Sequence, residues 1–275
     1  MARDGSGAVM RQLQGLRLLV AMVLTVVVPG AAFARQEPAA PPQPAPVEQP
    51  APDTVEWVLA RYREAVGGEA AIRSHTARTI RAVFEIPAQN MRGEMTIWAA
   101  APDRLRTVLS VPGLGEIERG FDGRIGWSID QAIGPKLLDG RELDELRHSA
   151  DFYDDLHDPD AFASIELLGR VSFGGEECYE VKLVRPTGFE YTEYFSVKTG
   201  LIVGVRTSTA TQMGSIPVTT FFEDYREFGG VLVPTVTRMR MLGLEQVITV
   251  QSIDFGEIDP GTFELPPAIA ALAGR

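Results

Sequence analysis

The feature that most constrains this chain is a run of apolar residues at period two that restarts about every ten residues from Thr79 to the end. Twelve segments carry it: 79–86, 91–99, 104–110, 116–122, 125–130, 165–173, 178–184, 189–196, 201–210, 217–226, 231–241 and 245–255. Between them lie Asp122-Gly123, Gly174-Gly175, Pro186-Thr187-Gly188, Lys198-Thr199-Gly200 and Gly229-Gly230, the turn chemistry of tight hairpins. Short links make sequential strands antiparallel neighbours. With no helix between most of them, a parallel α/β sheet is excluded, and a barrel or strongly curved meander is expected.

Parity gives nearly every strand one apolar face. Met91, Met95 and Ile97 share a side, as do Ile125, Trp127 and Ile129, then Tyr191 and Phe195, and Val218, Thr220 and Phe222. In TVTRMRML (235–242), Met239 and Met241 point one way while Arg238 and Arg240 point the other. The apolar side is expected inside and the charged side in water. Methionine is unbranched and adaptable, so these positions read either as packing for helices or as the wall of a cavity for an apolar guest. Glu193 is the exception, since it shares its parity with Tyr191 and Phe195. An inward carboxylate is an acid, a contact for a ligand's polar head or half of an ion pair, unless a bulge turns it outward.

Two helical patterns accompany the strands. Thr54 or Asp53 can cap a helix whose Val55, Val58, Leu59, Tyr62 and Val66 fall on one stripe, stopped by Gly67-Gly68. Residues 131–164 interrupt the meander, and Leu143, Leu146 and Phe152 mark short amphipathic helices there, able to cover the opening of a barrel.

The front of the chain reads as export. Arg3, Arg11 and Arg17 precede an apolar run from Leu18 to Val28 and then Ala32-Phe33-Ala34, the order of a signal peptide cut after Ala34. Residues 35–53 follow as a Pro/Ala-rich tether. The expected organisation is therefore signal peptide 1–34, tether 35–53, β-domain 54–267 and tail 268–275. The sole cysteine, Cys178, lies far from the cleavage site, so no lipid-anchoring cysteine is available there, and the product is expected to be soluble and periplasmic.

Composition excludes other classes. A net charge of −11 without a basic block does not suit a phosphate backbone, so nucleic acid is not an expected partner. Cys178 has no basic neighbour to activate it and reads as a small buried hydrophobe. No G-x-S-x-G, H-E-x-x-H, phosphate loop or dinucleotide fingerprint occurs. His148, Asp151, Asp154, Asp155, His157, Asp158 and Asp160 have the content of a metal cluster but match no ligand spacing. No enzyme activity, cofactor or metal is expected.

The segments GEMTIWAAAPDRLRT (93–107), RGFDGRIGWSID (119–130), LLDGRELDELRHSADFY (137–153), YFSVKTGLIVG (194–204) and IDFGEIDPGTFELP (253–266), in this order, resemble the LolA-like group of exported bacterial proteins. The resemblance spans 54–267. It implies a mainly β fold, an incompletely closed antiparallel barrel of about eleven strands, with an N-terminal helix and a mid-chain insert over the opening. It also implies an apolar interior for lipid or lipoprotein acyl chains, envelope proteins that donate or accept such cargo, and a place in outer-membrane lipoprotein sorting. The wall would be Met91, Met95, Ile97, Trp127, Phe152, Phe195, Phe222, Met239 and Met241. The alternative expectation is an envelope interaction or sensor domain whose interior is filled by its own side chains.

Overall fold

The computed structural model describes residues 53–211 and 214–274, so the signal-peptide reading and all but the last residue of the tether lie outside the described residues. Helix α1 (Val55–Ala65) begins where the Thr54 hydroxyl accepts from Trp57 N at 3.3 Å. It ends at Gly67, whose φ of 119° and closeness to Gly230 O leave no room for a side chain. A short helix α2 (Glu69–Arg73) leads into the strands.

Thirteen strands follow among the described residues: β1 (Ala77–Ile86), β2 (Met91–Ala100), β3 (Arg104–Val111), β4 (Gly115–Phe121), β5 (Gly126–Asp130), β6 (Gly134–Leu137), β7 (Ser164–Phe173), β8 (Glu176–Val184), β9 (Glu190–Ser196), β10 (Ile202–Thr211), β11 (Gly214–Phe228), β12 (Val231–Met241) and β13 (Leu244–Asp254). All pairings are antiparallel, in the order β6-β5-β4-β3-β2-β1-β13-β12-β11-β10-β9-β8-β7. The first and last strands therefore join in the middle of the sheet, and the sheet is not closed. Its free edges, β6 and β7, are the two strands that flank the insert. Helix α3 (Gly140–Ala150) and the two single turns Asp154–Leu156 and Pro159–Ala161 make up that insert.

Register fixes the faces. Ile80 pairs with Ile97, Ala82 with Met95 and Val250, and Phe84 with Gly93 and Ile248, all toward the concave side. The main core lies there, between the sheet, α1, α2 and the insert. The outer face carries Arg238 with Glu223, and Arg240 with Glu245.

Two apolar residues expected inside, Trp127 and Ile129, point outward instead. In β5 it is Gly126, Ser128 and Asp130 that pair with the inward Phe121, Arg119 and Ile117. Trp127 therefore sits on the convex face, donating Nε1–H to Glu118 at 3.1 Å. This inversion has a packing reason. Helix α3 presses so closely on Gly126 that a Cβ there would lie 2.7 Å from Leu143, and the C-terminal segment covers the other side. Arg106 donates to Thr262 O across that segment, and a last helix, α4 (Pro267–Leu272), buries Ile269 completely. Both faces of β5 are thus covered, and apolarity alone does not tell them apart. The β10 bulge likewise turns Val203 out between the inward Ile202 and Val205, and Val247 pairs outward with Arg238.

Candidate functional site

The concave face has two zones. Met95, Ile97, Phe195 and Phe222 belong to the main core, with the half-buried Met91 packed against it. Met239 and Met241 form a separate apolar cluster with Ile216 and Val218, toward the end of the sheet where β12 turns into β13. Phe152 lies under the Arg78 guanidinium, 4.3 Å from ring to carbon, and packs edge-on to Tyr153. Eight of the nine expected wall residues are therefore on the lid or the concave side, in three groups rather than one; Trp127 is not.

Within the main core stands a buried polar knot, and the insert supplies half of it. The Asp154–Leu156 turn brings Asp154 to Arg185, Asp155 to the Tyr62 hydroxyl at 3.1 Å, and His157 Nε2 to Glu193 Oε2 at 2.7 Å. Both side chains of the last pair are 2% exposed. Phe162 stacks on the His157 ring, while Tyr62 and Phe195 meet it edge-on. Arg63 donates to Leu156 O at 3.1 Å, and Tyr153 donates to His75 O at 3.0 Å.

The His157 geometry fixes a proton. Nδ1 faces the Asp155 carbonyl oxygen at 3.1 Å, so Nδ1 carries hydrogen. Nε2 then faces a carboxylate, and without a shared proton two lone pairs would meet. Burial, the largest single effect, opposes charge on His157, but Glu193 and Asp155 together outweigh it and raise its pKa above the ordinary value. Asp155 is also raised, because burial outweighs the pull of Arg78, His157 and Tyr62. Burial lowers the Arg78 guanidinium to about 10 and pushes the Tyr62 phenol well up. Tyr62, Asp155 and Tyr225 also line a cavity of ≈ 20 Å³, room for about one water.

The acidic insert is thus spent on separate partners. Asp151 accepts from Tyr153 N, Asp158 accepts from Asp160 N, and among the described residues no three His, Cys, Asp or Glu converge as a metal would need. Cys178 is fully buried, and burial pushes its thiol up to about 11. The inward direction of Glu193 was legible in strand parity. Its partner was not, because the spacing of His157 in an irregular loop carries no period. Arg78 was missed because the period-two pattern begins one residue after it.

This is a curved, unclosed antiparallel sheet with a segment strapped over its concave side. No protein-family model and no curated protein matches the sequence. Among solved structures, the chain resembles the LolA superfamily protein NE2245 from Nitrosomonas europaea, with a TM-score of 0.52 and 13% identity over 76% of this chain and 96% of that one. It also resembles a DUF1329 family protein from Desulfovibrio piger, with a TM-score of 0.54 and 12% identity over 75% and 94%. At these identities the likeness is one of fold: the chain has a LolA-like fold.

Proposed function

We propose that the protein is an exported, periplasmic carrier that holds the acyl chain of a lipid or lipoprotein on its concave face, without covalent chemistry, in the service of outer-membrane lipoprotein sorting. One observation carries this reading. The apolar face is left unclosed between β6 and β7, and the segment that spans the break is fastened inside by a few polar contacts that can be exchanged for others. Met239 and Met241, outside the main core, are the part of the wall best suited to a guest. Burying ten methylenes gains roughly 8 kcal/mol gross. Association costs an estimated 4–15 kcal/mol, so binding is modest and reversible, as handing on a cargo requires.

The test is mass spectrometry of the organic extract of the protein purified from a periplasm without detergent, beside Met239→Arg. The expected result is a stoichiometric lipid in the wild type and none in a folded variant. Lipid in neither sample would favour a second reading, an envelope sensor with a self-packed interior. The buried His157–Glu193 contact, set among Tyr62, Phe162 and Phe195 of the main core, is the observation on its side.

A further inference from the structure

The hairpin tips at one end of the sheet differ from those at the other. β1, β3 and β5 run the same way, so the turns 87–90, 112–114 and 131–133 lie together. The pairing of Glu85 with Val247 puts the β12–β13 turn beside them. At this end the turn sequences IPAQNM (86–91), VPGLG (111–115), QAIGP (131–135) and MLGL (241–244) contain no charged residue, in a chain that is 23% charged, and the other described turn there, 185–189 between β8 and β9, carries one, the buried Arg185. The opposite turns carry Asp103, Asp122, Arg124 and Lys198.

The uncharged tips also hold three of the five large hydrophobic side chains that stand exposed among the described residues: Leu114 at 41%, Ile133 at 61% and Leu242 at 63%. Each stands next to a glycine at the crest of its turn. Leu242 is the most informative. With Gly243 it forms a two-residue turn in which both residues have positive φ, 51° and 77°. Asparagine suits the first position of such a turn, and a γ-branched side chain is strained there. The hairpin gives up local stability to show a leucine to solvent.

We infer that this rim is a membrane-docking surface, whose three tips enter the interfacial region of a lipid bilayer. Three separate apolar crests, divided by uncharged backbone turns, do not make the contiguous packed core of a protein interface, but each can sink into a deformable apolar medium. The charge of −11 on the rest of the molecule sets the orientation and the preferred lipid. Neutral headgroups accept the rim, and anionic ones repel the body. This inference is independent of whether the interior holds a lipid.

The experiment is sedimentation of the purified protein, its N-terminus fixed by intact mass, with zwitterionic phosphatidylcholine vesicles. The wild type is expected to cosediment with little dependence on salt and to bind less well when the vesicles are made anionic. Each tip should account for about a tenfold change in partition, so Leu114→Ser with Ile133→Ser and Leu242→Asn together should abolish binding. Leu242→Asn alone should weaken binding about tenfold and raise the melting temperature, a combination that misfolding cannot produce. Failure of the wild type to cosediment, or equal binding by the triple variant, would overturn the inference. So would a dimer of the wild type that the triple variant loses without any vesicle binding.

Discussion

At the residue scale, one proton decides how the His157–Glu193 contact behaves. The folded pKa of His157 is raised, so the pair's contribution to stability is complete below the unfolded value of about 6.5 and is lost as pH rises through the higher folded value. Charged or titratable groups face it from each packed element: Tyr62 from α1, Glu193 from β9, Asp155 from its own turn, Tyr225 from β11 and Arg78, through Asp155, from β1. Denaturant titrations at a series of pH values should therefore show stability falling from mildly acidic to alkaline pH. Glu193→Gln should cost about 3 kcal/mol at pH 6 and flatten that slope, because it leaves His157 buried without its counter-charge. A wild-type profile with no slope would show that folding leaves the pKa of His157 unchanged and that the pair holds no proton of its own.

At the element scale, the lid is a helix held against a glycine. Leu143, Leu146 and Ala150 pack on Phe121, Leu138 and Leu105, and a Cβ at Gly126 would come 2.7 Å from Leu143 and 3.1 Å from Leu146. Gly126→Ala should push α3 off the sheet at a cost of about 1–3 kcal/mol. In hydrogen exchange, amides of 140–163 should speed up while those of β1 and β13 stay unchanged; a uniform effect would mean that the lid is not a separate unit. This arrangement also shows what the sequence could reveal. The strands, their antiparallel neighbours, the capped first helix and the inward parity of Met239, Met241 and Glu193 were legible because period two survives wherever one face meets water. The face of Trp127 was not, because α3 and the C-terminal segment cover β5 on both sides. Strand β6, only Gly134–Leu137, is too short to show a period and was read as part of the insert. Nor does a local pattern show that β1 pairs with β13 from the other end of the domain.

At the scale of the whole molecule, that long-range pairing sets the order in which the structure should come apart. β1 and β13 are each flanked on both sides, and Ile80, Phe84 and Ile248 at their junction are almost wholly buried. β6 and β7 each lack one neighbour, and β7 alternates exposed and half-buried residues along nearly its whole length. Native-state exchange should accordingly rank the lid and the two edge strands as the first to open and the β2-β1-β13-β12 block as the last, reaching the global unfolding free energy. Ile80→Ala should lower that ceiling by about 2–5 kcal/mol and carry every slow amide down with it, as a cavity at the joint of both halves must. A carrier needs this separation, since the side that admits a guest must open without disturbing the joint that holds the two halves together. If β7 and the lid instead exchanged only with β1 and β13, in one global event, the concave face would have no opening route short of unfolding. The self-packed reading of the interior would then be the better one.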